Sequence, residues 1–235
     1  MRNGSNNRRR VSAWAVLCWL LAGCAGSNHP APEATPHAHG WQSDATLAGR
    51  GGEGGAPARW GFASRPDGTP DHGAPRVLEI PSPKDQTYNI FWHGEPRLAD
   101  VELSLRVQAR SGEVDQGGGP IWRVQDRDHY YICRINPLES NFRVYKVVGG
   151  VRTQLGSAKV ESPAASANAP GAWHTITVRH VGERLVCAVD GAAVLDVTDA
   201  AIPTPGGVGV WTKADAVTWF ERFTATPATR PATGK

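Results

Sequence analysis

Between residues 116 and 147 the sequence reads as three successive β-strands, and this stretch constrains the fold more than any other part of the chain. Runs of aromatic and β-branched residues are interrupted there by two short polar segments, at 126–128 and 137–140. From Trp60 onward no segment shows helical periodicity. The pattern therefore predicts antiparallel strands that are joined by tight loops.

A loop at 137–140 fixes how the second and third strands pair, because successive side chains of a strand point to opposite faces. One set of facing residues is wholly apolar and is predicted to face the core: Ile135 with Phe142, and Cys133 with Val144. The other set is mostly polar and is predicted on the outer face: Asn136 with Asn141, Arg134 with Arg143, and Ile132 with Tyr145. A slip of one residue would put the apolar set in water, so the register is strongly specified.

A two-residue turn at 127–128 extends this register to the first strand. It predicts that Trp122 faces the core and that Arg123 lies beside Arg134 on the outer face. Arg134 is then expected to be exposed between Arg123 and Arg143. Like charges that face each other destabilise a sheet, so something should compensate for this row of arginines.

Three explanations of the arginine row are open at this point. Glu139 in the loop could pair with the guanidinium groups, or a polyhydroxyl or anionic ligand could be held by them and by the flanking amides. The arginines could also simply point into water. The candidate ligand-binding residues come from this face and from the last two strands: Arg123, Arg134, Asn136, Asn141, Arg143, Tyr145, Trp211 and Asp215.

Four segments carry a family resemblance: GGGPIWR, DRDHYYICRINPLESNFRVYKV, WHTITV and GGVGVWTKADAVTWFE. Together, over residues 76–225, they resemble the domain family named for 3-keto-disaccharide hydrolases. The resemblance implies a concanavalin-like or laminin-G-like jelly roll, often labelled family 16 glycoside hydrolase-like. It also implies a saccharide ligand and, if the domain is an enzyme, cleavage of 3-keto disaccharides or glycosides.

The N-terminus resembles that of a bacterial lipoprotein. A basic segment at 2–10 precedes an apolar run at 11–21 that is too short to span a bilayer, although a single membrane-spanning anchor is the alternative. The tetrapeptide LAGC then resembles a lipobox, which implies removal of residues 1–23 and lipidation of Cys24. The resemblance thus implies a cell-envelope protein. Ala25 is not the aspartate associated with inner-membrane retention, so in a Gram-negative bacterium it implies an anchor in the outer membrane.

The charge balance argues against nucleic acid as a partner. The full chain has 25 basic and 22 acidic residues and a net charge of +3. Loss of residues 1–23 removes four arginines and no acid, which leaves 21 basic and 22 acidic residues and a net charge of −1. The basicity therefore belongs to the leader and predicts no nucleic-acid surface on the mature chain.

Composition divides the rest of the chain into three parts. Residues 24–58 are rich in Ala, Gly, Pro, Ser and His and are predicted to be a flexible tether. Residues 59–226 contain about a dozen short strands, with strict alternation at 100–108, and predict one all-β domain. We expect a two-sheet antiparallel β-sandwich of the jelly-roll type, followed by a disordered tail at 227–235.

No catalytic motif accompanies this fold. The two-carboxylate strand motif of family 16 glycosidases is absent, as are nucleophile elbows and metalloprotease helix motifs. Cleavage of a 3-keto sugar by elimination needs only one base and a cation that stabilises an enolate, and the candidates are His93, Glu139 and Lys213. Trp211 could stack on a sugar ring, because residues 212–215 read as a loop. A non-catalytic carbohydrate-binding domain and a protein-binding or structural envelope domain are the alternatives.

The sequence predicts no cofactor and no specific metal site. Calcium often accompanies concanavalin-like domains, but Asp126 and Asp128 fit a tight turn equally well. Cys133 and Cys187 both point to the core, and we expect buried free thiols there, with a disulfide as the alternative. Three histidines of the tether could bind a metal without defined geometry: His29, His37 and His39.

Overall fold

Two antiparallel β-sheets pack face to face in the computed structural model, which describes residues 40–47, 57–81, 87–166 and 169–230. Within these residues each sheet has seven strands. The predicted fold class, a two-sheet antiparallel β-sandwich, is therefore confirmed.

The first sheet has the order β1-β4-β13-β6-β7-β8-β9. Its strands are β1 (Trp41–Leu47), β4 (Thr87–Leu98), β6 (Gly119–Asp126), β7 (His129–Asn136), β8 (Asn141–Val148), β9 (Val151–Lys159) and β13 (Gly206–Lys213). The second sheet has the order β12-β11-β10-β5-β14-β3-β2. Its strands are β2 (Arg59–Ser64), β3 (Pro70–Glu79), β5 (Val101–Ser111), β10 (Trp173–Val181), β11 (Arg184–Val189), β12 (Ala192–Thr198) and β14 (Val217–Pro227).

The core lies between the two sheets and follows from the alternation of side chains along each strand. In β5, Leu103, Leu105 and Val107 point inward and are at most 1% exposed, as the alternation predicts. Phe91 and Trp122 of the first sheet belong to the same buried cluster. Burial of large apolar side chains of this kind is the main favourable contribution to folding.

Two predicted hairpin registers are confirmed. In the β7–β8 hairpin Arg134 faces Arg143. In the β10–β11 hairpin Val178 faces Cys187, and Val189 faces Ile176. A short loop leaves little freedom in how its two strands pair, which is why both registers could be predicted.

The predicted two-residue turn at 127–128 is confirmed, because Asp126 pairs with His129, but the register predicted from it is wrong further along β6, where a β-bulge interrupts the strand. The register shifts between Trp122 and Asp126, so that Trp122 faces Tyr131. Arg123 lies in the bulge with a φ of 49°. A bulge adds one residue to a strand and reverses the faces beyond it. Trp122 still faces the core as predicted, but the placement of Arg123 beside Arg134 is incorrect.

The N-terminal boundary of the sandwich is earlier than predicted. β1 falls within the segment 24–58 that we expected to be a tether, and it pairs with β4 over all seven of its residues. Trp41 is 6% exposed and belongs to the core cluster. The strand was missed because Ser43 and Ala45 are small residues in a stretch of similar composition. β9 was also not predicted.

The C-terminal boundary is later than predicted. Pro227, the first residue of the expected tail, pairs with Val101 as the last residue of β14. The backbone N–H of Ala228 donates to the carbonyl of Asp100 at 3.0 Å, and Arg230 Nε donates to the Asp100 carboxylate at 2.6 Å. Residues up to 230 are therefore attached to the domain.

Several predictions concern residues outside the described ranges. These are the leader at 1–23, the lipidation of Cys24 and the metal-binding capacity of His29, His37 and His39, and all of them remain predictions. Among the residues that the structure describes, no helix is long and apolar enough to cross a membrane.

The two described cysteines are free and buried, as expected. Cys133 belongs to the first sheet and Cys187 to the second, and both lie in the core cluster. Burial raises the pKa of the Cys133 thiol well above its ordinary value, and the neighbouring Cys187 raises it further. The Cys133 thiol is therefore protonated at neutral pH, and both buried cysteines pack as small apolar groups.

Candidate functional site

Five charged side chains on the outer face of the first sheet form a series of contacts that alternates in sign, which we call the charged row: Lys213, Asp115, Arg134, Glu139 and Arg143. The Asp115 carboxylate lies 3.7 Å from Lys213 Nζ and 3.8 Å from Arg134 Nη1. Glu139 Oε2 lies 3.2 Å from Arg134 Nη2 and 2.9 Å from Arg143 Nη1. Glu139 therefore compensates for the two facing arginines, as one of the three sequence-based explanations predicts.

The loop between β7 and β8 positions Glu139. Residues Pro137–Glu139 form one turn of 3-10 helix, whose N-terminus is capped by the Asn136 side chain. Asn136 Oδ1 accepts hydrogen bonds from the backbone N–H of Leu138 at 3.0 Å and of Glu139 at 3.3 Å. Asn141 Nδ2 donates to Glu139 Oε2 at 2.8 Å. The two predicted asparagines thus hold the loop and orient its carboxylate.

The loop between β5 and β6 carries Asp115. Asn136 Nδ2 donates to Asp115 Oδ1 at 3.0 Å, which joins this loop to the end of β7. Asp215 was predicted as a ligand-binding residue, and its carboxylate accepts hydrogen bonds from three consecutive backbone N–H groups, those of Glu113, Val114 and Asp115. Asp215 therefore positions the loop that presents Asp115.

The two carboxylates of the charged row differ in proton affinity. Burial raises the pKa of Asp115 above its ordinary value, and the nearby Arg134 and Lys213 offset only part of this increase. Burial would also raise the pKa of Glu139, but Asn141, Arg134 and Arg143 together hold it below its ordinary value. Glu139 therefore loses its proton at a lower pH than an ordinary glutamate, and Asp115 loses its proton at a higher pH than an ordinary aspartate, although both contact Arg134.

Arg134 is buried, which contradicts the expectation that it would be exposed. Its side chain is 2% exposed, whereas those of Glu139 and Arg143 are 44% and 32% exposed. Of its guanidinium nitrogens, Nη2 donates to Glu139, while Nε and Nη1 have no hydrogen-bond partner among the described residues. Buried donors without partners cost free energy, so Arg134 has unused capacity to bind an acceptor.

Aromatic side chains adjoin the charged row on the same face, and we call them the outer aromatic cluster: Tyr88, Tyr130, Tyr145 and Trp211. The rings of Tyr88 and Trp211 are 5.4 Å apart and tilted by 46°. Trp211 was predicted at the end of a strand, where it could stack on a sugar ring, but its indole is fully buried within β13. Burial raises the pKa values of Tyr88 and Tyr130, so both hydroxyls remain protonated donors.

Arg152 connects three of these rings. Its guanidinium carbon lies 4.3 Å from the ring centre of Tyr145, 5.0 Å from that of Tyr88 and 5.8 Å from that of Trp211. These are distances at which a cation is attracted to an aromatic face. Arg152 Nη1 has no hydrogen-bond partner among the described residues. The face therefore offers a second guanidinium with an unused donor.

Arg123 does not contribute to this face. Its guanidinium donates to three backbone carbonyls, those of Ala99 at 2.7 Å, Ile202 at 3.0 Å and Gly182 at 2.8 Å. The side chain is 2% exposed, and burial lowers the pKa of its guanidinium. Arg123 thus connects three loops at one end of the sandwich.

His93 also lies apart from the charged row. It shares the inner face of β4 with Phe91, whereas Tyr88 and Trp92 belong to the outer face. Its ring lies 5.9 Å from that of Trp41, and its Nδ1 accepts a hydrogen bond from the backbone of Glu95. Of the three candidate catalytic residues, the structure therefore brings together Glu139 and Lys213 and leaves His93 on the opposite side of the sheet.

The turn between β6 and β7 uses its own carboxylates. Asp126 Oδ1 accepts a hydrogen bond from the backbone N–H of Asp128 at 2.8 Å and lies 2.9 Å from His129 Nδ1. These contacts match the tight-turn interpretation of the two aspartates. Within the described part of the chain, no three His, Cys, Asp or Glu side chains are grouped so that they could hold a metal ion.

Sequence reasoning missed Asp115, Arg152, Tyr88 and Tyr130. Asp115 and Tyr88 reach the face only because β13 lies between β4 and β6, so that Lys213 pairs with Tyr88. No local pattern reports such a contact between distant segments. Arg152 belongs to β9, which was itself missed. Tyr130 could have been found, because the confirmed β7–β8 register puts it on the same face as Ile132.

No protein-family model matches the sequence, and no curated protein sequence matches it. The resemblance to 3-keto-disaccharide hydrolases is therefore one of sequence motifs alone. Solved structures do match. A carbohydrate-binding module, CBM66 from Bacillus subtilis, is similar with a TM-score of 0.58 and 14% identity, over 79% of this chain and 94% of that one.

Two further structures match at a lower TM-score of 0.52. One is a protein of unknown function with a galectin-like fold from Bacillus subtilis, with 11% identity over 81% of this chain and 90% of that one. The other is the exoplasmic/lumenal domain of VIP36 in its Ca²⁺/Man3GlcNAc-bound form, with 11% identity over 83% and 86%. At such identities the likeness shows the fold, a jelly-roll β-sandwich of the galectin-like and concanavalin-like type.

Proposed function

We propose that the protein binds a saccharide on the outer face of the first sheet, at the charged row and the outer aromatic cluster. The observation that carries this proposal is the state of Arg134, a buried guanidinium with two unused donors between two carboxylates. Sugars present closely spaced hydroxyls that both donate and accept hydrogen bonds. A row of alternating carboxylates and guanidinium groups matches that pattern, because carboxylates only accept and guanidinium groups only donate.

The surroundings of Arg134 support the same ligand class. The rings of the outer aromatic cluster are at most 4% exposed, so they pack beside the charged row and fix its position rather than stack on a sugar ring. A ligand would approach from the side of Glu139 and Arg143, which are the more exposed members of the row. Of the structural neighbours, CBM66 is named as a carbohydrate-binding module, and the VIP36 domain was solved with bound Man3GlcNAc.

The proposal extends to location. The lipobox-like LAGC would place a lipid on Cys24 and anchor the sandwich to the cell envelope, on the outer membrane if the source has one. The ligand would then be an envelope or environmental saccharide.

Titration calorimetry against a panel of neutral, acidic and 3-keto oligosaccharides tests the binding proposal. Arg143→Ala should weaken binding of the best ligand at least about tenfold, because it removes a charge-assisted donor. Arg184→Ala is the matched control, since Arg184 forms a comparable exposed ion pair with Asp196 on the second sheet. Equal loss in both variants, or no saccharide bound by the unmodified protein, would contradict the proposal.

A second candidate function is cleavage of 3-keto glycosides. Asp115 favours it, because a carboxyl with a raised pKa beside Lys213 could transfer a proton while the ammonium group stabilises an enolate. Incubation with a 3-keto disaccharide, followed by detection of the released monosaccharide, tests this function. Asp115→Asn should then abolish release but retain binding. If the protein binds the saccharide but releases no monosaccharide, it is a carbohydrate-binding domain. If it neither binds nor cleaves the saccharide, a protein-binding or structural role is favoured.

A further inference from the structure

A serine, a histidine and an aspartate are connected by hydrogen bonds at the end of the sandwich, away from the outer face. Ser162 Oγ lies 2.8 Å from His174 Nε2. The other ring nitrogen, His174 Nδ1, lies 2.7 Å from Asp190 Oδ2. The order of contacts, hydroxyl to imidazole to carboxylate, is the one that activates a serine nucleophile on several unrelated folds.

The backbone holds the aspartate in position. Asp190 is in the turn between β11 and β12, with a φ of 50°. Its Oδ1 accepts a hydrogen bond from the backbone N–H of Thr175 at 2.7 Å, and its own N–H donates to the Thr175 carbonyl at 2.8 Å. Burial would raise the pKa of Asp190, but Thr175 and His174 hold it below its ordinary value. The carboxylate is thus ionised and fixed against the imidazole.

The histidine and the serine differ in access. His174 is the second residue of β10, points to the inner face with Ile176 and is 9% exposed. Ser162 follows β9 in a loop and is half-buried, so it is more accessible than His174. A buried, oriented base beside an accessible hydroxyl is the arrangement that nucleophilic catalysis requires.

The loop that carries Ser162 is fastened on both sides. Before it, the Val160 N–H donates to the carbonyl of Ser140 at 3.1 Å, next to Glu139. After it, the backbone of Ala165 exchanges two hydrogen bonds with the side chain of Gln116, at 2.8 and 2.9 Å. Gln116 directly follows Asp115 in the chain. Ser162 therefore lies at the same end of the sandwich as the acidic members of the charged row.

We propose that Ser162, His174 and Asp190 form an acyl-ester hydrolase site whose substrates are O-acyl esters, in particular O-acetyl groups on a saccharide held at the charged row. The esterase chemistry is independent of the proposed saccharide binding. The identity of the alcohol part as a sugar rests on that proposed function.

The reaction balances without a further co-reactant besides water. Ser162 Oγ attacks the ester carbonyl carbon while its proton passes to His174 Nε2. The tetrahedral adduct collapses, the sugar oxygen leaves with the proton from His174, and the acyl group stays on Ser162. Water then attacks the acyl-serine with His174 as base, which releases a carboxylic acid and restores the hydroxyl. Asp190 stabilises the imidazolium in both steps.

Hydrolysis of p-nitrophenyl acetate by the full chain tests the site without involving a sugar. Ser162→Ala and His174→Gln should each lower the rate at least about 100-fold, because general-base activation of the hydroxyl is lost. Asp190→Asn should lower it by a similar factor while its remaining oxygen still accepts from Thr175. Ser157→Ala, an exposed serine of β9, is the matched control and should leave the rate unchanged.

Mass spectrometry of protein quenched during turnover should find one acetyl group on the peptide that contains Ser162. Equal rates for Ser162→Ala and the unmodified protein, with no acetyl group on this peptide, would overturn the proposal. A second assay with an O-acetylated oligosaccharide addresses the substrate class. If the protein hydrolyses p-nitrophenyl acetate but releases no acetate from the oligosaccharide, the triad is supported and sugar esters are rejected as its substrates. This conclusion does not depend on the outcome of the binding measurements.

Discussion

The indole N–H of Trp122 donates to Nδ1 of His180 across the core, at 2.9 Å. The His180 ring also meets the Tyr131 ring edge to face at 5.0 Å and is fully buried. Because Nδ1 accepts, the neutral imidazole carries its proton on Nε2. Burial, together with the charge of Arg123, lowers the pKa of His180 to about 4.

This lowered pKa makes stability dependent on pH on the acid side. Above about pH 6.5, His180 is neutral in both the folded and unfolded chains, so its protonation does not reduce the free energy of unfolding. As pH falls below this value the unfolded chain gains a proton that the folded chain excludes until about pH 4. The free energy of unfolding should therefore decrease by about 2 kcal/mol between pH 7 and pH 5.

Urea denaturation at pH 7 and pH 5 measures this decrease. His180→Gln, whose amide oxygen can still accept from Trp122, lacks the titrating group and should show a decrease smaller by about 2 kcal/mol. An identical pH dependence in both proteins would mean that His180 does not titrate as its burial requires.

Arg134→Ala should lower the free energy of unfolding by about 3–5 kcal/mol, because it removes one of the two cations beside the buried Asp115 carboxylate and leaves only Lys213. Arg143→Ala, which removes a 32% exposed side chain, should cost no more than about 1 kcal/mol. Chemical denaturation of the two variants checks the difference. Equal, small losses would support the original expectation that Arg134 is exposed.

Arg123→Met should destabilise the protein by about 3 kcal/mol or more, because three carbonyls lose a charged donor. Saccharide affinity of the folded protein should not change, since Arg123 is remote from the charged row. Arg179→Met is the control, because Arg179 donates to one carbonyl, that of Thr229, at the surface. A loss of saccharide affinity with unchanged stability would restore Arg123 to the binding face.

Asp215→Asn should release the loop that presents Asp115. The carboxylate accepts from three consecutive N–H groups, and an amide with one oxygen can replace only some of these bonds. Hydrogen exchange at the amides of Glu113, Val114 and Asp115 should become faster, and saccharide affinity should fall about tenfold or more. Asp196→Asn, on an exposed ion pair of the second sheet, should change neither quantity.

Cys24→Ala should abolish the incorporation of labelled fatty acid when the full chain is produced in a bacterium that processes lipoproteins. The prediction depends on the lipobox-like sequence at residues 21–24. Label retained in the substituted protein would reject the lipidation site, and absence of label from both proteins would reject the anchor.

Local sequence patterns could predict the parts of this fold that depend on neighbouring strands. The Arg134–Arg143 pair, the role of Glu139 and the inward side of Cys133 all follow from one short loop and strict alternation. These predictions are correct because a slip of one residue in the register would have moved all the apolar side chains of the strand to the exposed face.

Contacts between distant segments could not be predicted in this way. Asp115 contacts Lys213 because the chain passes from the second sheet to the first before β13 and back again after it, which places β13 between β4 and β6. The burial of Arg134 and the Ser162–His174 contact also depend on loops that fold back over the ends of strands. The φ of 49° at Arg123 has no signature in residue type, because such values favour glycine or asparagine.

The bulge at Arg123 also has a consequence for how related sequences should differ. Because β6 holds one residue more at this point than the neighbouring β13, in which Gly207 pairs with Val124 and Val208 with Trp122, its loss in evolution would appear as a one-residue gap near position 123, with no substitution needed on either side. A relative with that gap would lose the guanidinium that connects the three loops and would need another way to close that end of the sandwich. The gap and a change in the loops around Ala99, Gly182 and Ile202 should therefore occur together.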